Sequence, residues 1–125
     1  MDTNGNTKEL IKDLCSRLPY GVKVSKVVEN WTSDPHPIRS INLNNIIVED
    51  GEFEDGTPDI DVWNYEEIKP YLFPLSSMTE KQKIELTCII DSDYAQIDWY
   101  NKNHIDYRGL IPMGLALDAT GLNIY

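Results

Sequence analysis

Between Gly21 and Ile68 the chain is a succession of short strand-like runs cut apart by Gly, Asn and Pro. Val22, Val24 and the Val27-Val28 pair mark a first strand, and Ile38, Ser40, Ile41 and Leu43 a second, after a loop at Asp34-Pro35-His36-Pro37. Asn45 to Val48 is a third run. Asp50-Gly51 then reads as a hairpin turn, because type I′ geometry needs positive φ at both central positions. Glu52-Phe53-Glu54 alternates as a solvent-facing strand would, Asp55-Gly56-Thr57-Pro58 turns the chain again, and Ile60, Val62 and Trp63 open the last strand. Strands this short and this closely spaced predict a small, strongly bent antiparallel sheet over residues 21–68, with an SH3-like barrel tendency.

Helices are expected before and after the sheet in the chain, one N-terminal and two C-terminal. Residues 7–18 carry one: Asn6 and Glu9 have capping-box spacing, Leu10, Ile11, Leu14, Cys15 and Leu18 form the apolar face, and Pro19 with Gly21 ends it. Pro70 and Pro74 argue against a regular helix or a central strand over Lys69 to Leu75, so Tyr71, Leu72 and Phe73 are expected to strap the core as a connector. Two further helices are placed in residues 77–104. Ser77 with Glu80 caps the first, which runs to about Ile90, although the period-two spacing of Ile84, Leu86, Cys88 and Ile90 also allows a strand. The second covers about Tyr94 to Asn103, with Ile97, Tyr100 and His104 on one face. Residues 105–125 read as a wrapping tail. The sum is an α+β fold in one domain over 1–125, within the size of a single core.

The chain has 21 acidic and 11 basic residues, and Glu49–Glu67 holds nine carboxylates with no Lys or Arg. That segment carries nine of the net ten negative charges. Without a basic patch, direct nucleic-acid binding is not expected, since phosphate contacts need clustered Lys and Arg. A calcium loop fails on register: started at Asp50 it puts Asp55 at the glycine position and Asp61 where glutamate belongs. An exposed, solvated hairpin is the plain reading, and a row of carboxylates imitating nucleic acid toward a DNA-binding protein is the alternative. There is neither a signal-peptide pattern nor a membrane-length apolar run, so a cytoplasmic location without membrane attachment is expected.

Cys15 and Cys88 are expected as reduced, buried thiols on helices. Two Cys and two His at unrelated spacings do not make a zinc site, and no cofactor is implied. The segment Asp98 to Arg108 is dense in reactive and aromatic side chains. His104 at a helix C-terminus suits the macrodipole, and Arg108 is expected to pair with Asp106 or Asp98. A catalytic version would use His104, Asp106 and Arg108; an interface version would use the aromatic and Arg anchors common at protein contacts.

Three stretches also carry a resemblance: Asp13-Leu14-Cys15-Ser16-Arg17-Leu18-Pro19-Tyr20-Gly21-Val22, Ile68 through Glu80, and Ile97 through Ile111. Together they resemble a family of small uncharacterised proteins of gut Bacteroidetes genomes, prophages and mobile elements. Pro112 and the ending Gly121-Leu122-Asn123-Ile124-Tyr125 depart from it, and the acidic middle is shorter in those relatives. The resemblance implies a setting, an accessory protein of a phage or mobile element, and no activity.

The reading that follows is a non-catalytic interaction protein with a protein partner. Its expected contact residues are Trp99, Tyr100, His104, Tyr107 and Arg108, with Glu52, Glu54, Asp55, Asp59 and Asp61 of the acidic hairpin. The acidic mimic and the small enzyme are the alternatives.

Overall fold

Three helices, one N-terminal and two C-terminal, accompany a seven-stranded, mostly antiparallel sheet in the computed structural model, which describes residues 3–89 and 92–125. In chain order these are α1 (Thr3–Arg17), β1 (Lys23–Val28), β2 (Trp31–Thr32), β3 (His36–Ile41), β4 (Asn45–Glu52), β5 (Pro58–Asn64), β6 (Ile68–Leu72), α2 (Glu80–Thr87), α3 (Asp93–Lys102) and β7 (Leu117–Asp118). The sheet order is β5-β4-β3-β1-β6-β7, with β2 folded back on β1. It is open and does not close into a barrel. The expected α+β fold is therefore present.

Alternation places the core. Val22 and Val24, with Ile46 and Val48 of β4, Trp63 of β5, and Ile68 and Leu72 of β6, point to one side and meet Leu10 and Leu14 of α1. Leu110 and Ala116 complete the cluster from the C-terminal segment. The apolar stripe of α1 is narrower than expected. Leu10 and Leu14 are buried, but Cys15 is exposed, and the remaining buried positions of the stripe are Asp13 and Arg17. Cys88 is exposed as well, so the expectation of two buried thiols is wrong on both counts. Cys15 lies off the face that α1 turns toward the core, and Cys88 follows the end of α2, a helix with no buried residue.

Several boundaries move for identifiable reasons. The first helix begins at Thr3, so Asn6 lies inside it and does not cap it, and it gives way at Leu18–Tyr20 to a 3-10 turn closed by Gly21 in left-handed conformation. His36 and Pro37 belong to β3, where they pair with Val24 and Lys23, and are not a loop. Asp50-Gly51 is not the hairpin turn. Gly51, at φ 99°, lies in the register shift between Glu49 and Glu52, and β4 continues through it to a turn at residues 53–57. That turn is closed by Phe53 N–H donating to Thr57 O at 2.8 Å and Gly56 N–H donating to Phe53 O at 2.9 Å. A glycine that can take positive φ serves a bulge as readily as a turn, which is why the dipeptide alone misleads.

Pro70 sits in β6, opposite Val24 of β1, against the expectation of a connector. On its other flank β7 pairs only with Tyr71 and Leu72, so Pro70 lies at a local edge, where a missing N–H is tolerated. The cap of α2 is Thr79 with Gln82, a complete capping box two residues beyond the expected Ser77 and Glu80. The helical alternative is correct for Glu80–Thr87; Ile90 lies outside the described residues. Ser92 caps α3 through the Ala95 N–H.

The two edges of the sheet differ. Beyond β6 the chain is covered: β7 pairs parallel to Tyr71 and Leu72, Phe73 N–H donates to His104 O and Asp106 N–H to Phe73 O, both at 2.8 Å, and Ala119 N–H donates to Leu72 O at 2.8 Å. At the other end, β5 pairs with β4 alone. No strand among the described residues lies outside it.

Candidate functional site

The C-terminal junction is held together by ionic and aromatic contacts that start on α1. Arg17 Nε donates to Asp13 Oδ2 at 2.8 Å, one helical turn apart, and both side chains are fully buried. A terminal nitrogen of Arg17 also donates to the Ile105 carbonyl at 2.7 Å, which ties α1 to the segment after α3. Arg108 Nε lies 3.4 Å from Asp13 Oδ1, with Glu9 farther out at 4.0 Å. The expected partners of Arg108, Asp106 and Asp98, are engaged elsewhere. The Asp106 carboxylate accepts the backbone N–H groups of Leu110 and Ile111, each at 2.8 Å, and Asp98 accepts the Tyr20 hydroxyl.

Aromatic rings fill the space around these charges. Tyr107 stacks on Tyr100 at 5.3 Å, and the guanidiniums of Arg17 and Arg108 stand 5.4 and 5.1 Å from its centroid. Trp99 packs edge-on against Tyr100 at 5.7 Å. Ile97, expected on the same inward face, is exposed.

His104 lies past the helix end and is buried, with a left-handed backbone at φ 58°. Its imidazole stacks on Tyr125 at 3.7 Å between centroids. Burial, reinforced by the positive charges of Arg17 and Lys23, holds its pKa down at about 4. The ring is neutral at physiological pH, so the macrodipole role expected for it does not apply. Burial pushes the Asp13 carboxyl up while Arg17, and then Arg108, pull it back. Asn101 Oδ1, His104 Nδ1, Arg17 Nη1, the Tyr107 hydroxyl, Asp13 Oδ1 and Arg108 Nε are buried without a hydrogen-bond partner, so the Arg108–Asp13 contact is an ion pair without a hydrogen bond.

The three residues of the catalytic alternative are thus near in sequence but differently occupied: Asp106 on amides, Arg108 on Asp13, His104 on Tyr125. An open groove of about 430 Å³ runs past Asp106, Tyr107 and Arg108 toward Leu75, Ile111 and Pro112, and His104 does not line it. Asp13 and Arg17 are the residues that sequence reasoning passed over. Their signal was present, since Leu10, Asp13, Leu14 and Arg17 have i, i+3, i+4, i+7 spacing and opposite charges sit four apart on the buried stripe.

The acidic hairpin forms the second region. Glu49 pairs with Arg39 at 3.5 Å, Asp50 approaches His36 at 3.5 Å, and Glu67 meets Lys26 at 3.7 Å. Asp55 accepts the Thr57 hydroxyl at 2.6 Å and the Thr57 N–H at 3.0 Å, which lowers its pKa. Asp61 spans the rim of β5: Oδ2 accepts the Trp63 indole N–H and Oδ1 the Val62 N–H, both at 2.9 Å. Glu52 and Glu54 are exposed near the turn, and Asp59 is half-buried on β5. On the opposite face of β5, Ile60 and Val62 are 48% and 54% exposed, with Phe53 at the turn 57% exposed. Ile60 and Val62 form an apolar pair on that face beside Glu49, which stands opposite Ile60 and is met by Arg39, while Asp59 and Asp61 line the other face.

Among the described residues, no three His, Cys, Asp or Glu side chains gather as a metal site, and no helix is long and apolar enough to cross a membrane. No protein-family model, curated protein or solved structure matches the chain.

Proposed function

We propose that this chain is a non-catalytic interaction protein that binds another protein, in the setting of a phage or mobile element to which its sequence resemblance points. The observation that carries the reading is the outer side of β5, where Ile60 and Val62 remain about half exposed although each sits on a paired strand within an acidic surround. Apolar side chains grouped on a fixed strand lose little entropy when a partner covers them. The non-catalytic side of the reading draws support from the internal commitments of His104, Asp106 and Arg108. Of the expected contact residues, Glu52, Glu54, Asp55 and Asp61 of the hairpin are exposed and Asp59 is half-buried, whereas His104 is buried and Tyr107 is stacked inside the junction.

The test is capture from cell lysate on the immobilised chain, followed by reconstitution of the captured protein with purified chain in a calorimeter. The expected result is a one-to-one complex weakened about ten-fold or more by Ile60→Ser with Val62→Ser, as befits loss of a central apolar contact. Failure of every captured protein to reconstitute, or equal binding by the double variant, overturns the reading.

A further inference from the structure

We propose that β5 accepts an added strand from a basic partner, an extended segment alternating Lys or Arg with apolar residues; this rests on the protein-binding reading above and names its mode. The first support is the asymmetry of the sheet. One edge is covered by β7 and by the backbone bonds of Phe73 with His104 and Asp106, while the seven-residue β5 has a partner on one side alone. An edge of that length is ordinarily blunted by charged side chains, especially Lys, by an interior Pro, by a bulge or by a covering loop; the charges of β5 are Asp59 and Asp61, which repel an acidic strand and admit a basic one, and its register shift lies at the turn end, opposite Glu49 to Glu52. In β5 the proline is the first residue, and no Lys or Arg occurs between Arg39 and Lys69.

The second support is the chemistry of the rim. Val62 N–H is met by its neighbour's carboxylate, Asp61 Oδ1, at 2.9 Å, so a side chain stands in for a strand partner. A cation from an incoming strand would draw the Asp61 carboxylate to itself and release that N–H for a ladder bond. Asp59 and Asp61 lie two apart on one face of β5, and Ile60 and Val62 two apart on the other. A strand whose cations face the first pair and whose apolar residues face the second satisfies both sides at once, because side chains alternate with period two. Charge complementarity selects a basic occupant over a second copy of this acidic chain, which would bring like charges together.

The probe is an eight-residue peptide alternating Lys and Val, titrated by fluorescence anisotropy against the full chain, beside the same peptide N-methylated at alternate amides. Saturable binding of the first and at least ten-fold weaker binding of the second are expected, since methylation removes ladder donors and leaves charge unchanged. Asp59→Asn with Asp61→Asn should weaken the parent peptide about ten-fold, and Glu54→Gln at the turn less than about two-fold. Amide exchange at Ile60 and Val62 should slow in the complex. No saturable binding, equal binding of both peptides, or unchanged exchange along β5 overturns the proposal. If a captured protein reconstitutes while β5 amides exchange as before, the added strand is wrong and protein binding stands; the basic groove of a folded DNA-binding protein would give that pattern.

Discussion

Among the described residues, His104 carries a clear pH dependence. Its pKa is about 4 in the fold against 6.5 ordinarily, chiefly through burial. A depressed pKa means that the folded state favours the neutral ring: the stabilisation is complete above pH 6.5 and is lost as the pH falls toward 4. The full loss is at most about 3–4 kcal/mol, reduced by whatever solvent reaches the ring. His104→Asn keeps a residue that tolerates the left-handed backbone at φ 58° and removes the titration. Urea unfolding of both proteins between pH 7 and pH 4 should show the wild type losing more stability than the variant across that window; parallel curves would refute the assignment. Asp13 and Arg17 make the matching point about legibility. Opposite charges on an apolar stripe could be read from the sequence as a buried pair, but their tie to the Ile105 carbonyl depends on a contact 88 residues away.

At the scale of elements, α2 stands apart because none of its residues is buried, so its stability rests on its own ends. Thr79→Ala removes the hydroxyl that accepts the Gln82 N–H at 3.1 Å, a loss of about 1 kcal/mol. Because the helix is loosely attached, amide exchange over residues 80–87 should accelerate about five-fold with little change in global Tm. An equal effect throughout the protein would show that α2 is coupled to the core. Element types were legible here because periodicity and caps are local. Boundaries were less so: Thr79 competes with Ser77 as a cap, Gly51 can serve a bulge or a turn, and Pro70 is allowed in β6 only because β7, far along the chain, stops short of it. The open rim of β5 could not be read from alternation, which marks the faces of a strand and not whether a neighbour lies beside it.

Over the whole molecule, a net charge of −10 with most of its excess in one hairpin opposes compaction. Raising NaCl from 10 to about 500 mM shortens the screening length several-fold, so the urea midpoint should rise. A chain with Glu52, Glu54, Asp59 and Glu66 neutralised should rise less, and an unchanged wild-type midpoint would mean that these charges are already solvated independently. The path of the strands also bears on how the fold assembles. Pairings within β3, β4 and β5 close short loops, whereas Tyr125 reaches Lys23 across 102 residues, its hydroxyl accepting the Lys23 N–H and donating to the Tyr71 carbonyl. Loop-closure entropy places the short loops early and the long strap late. While the chain is being synthesised, the meander thus exists before its C-terminal cover. For that interval both borders of the sheet are open to a stray strand, and the later docking of Tyr125 on Tyr71 helps to close one of them.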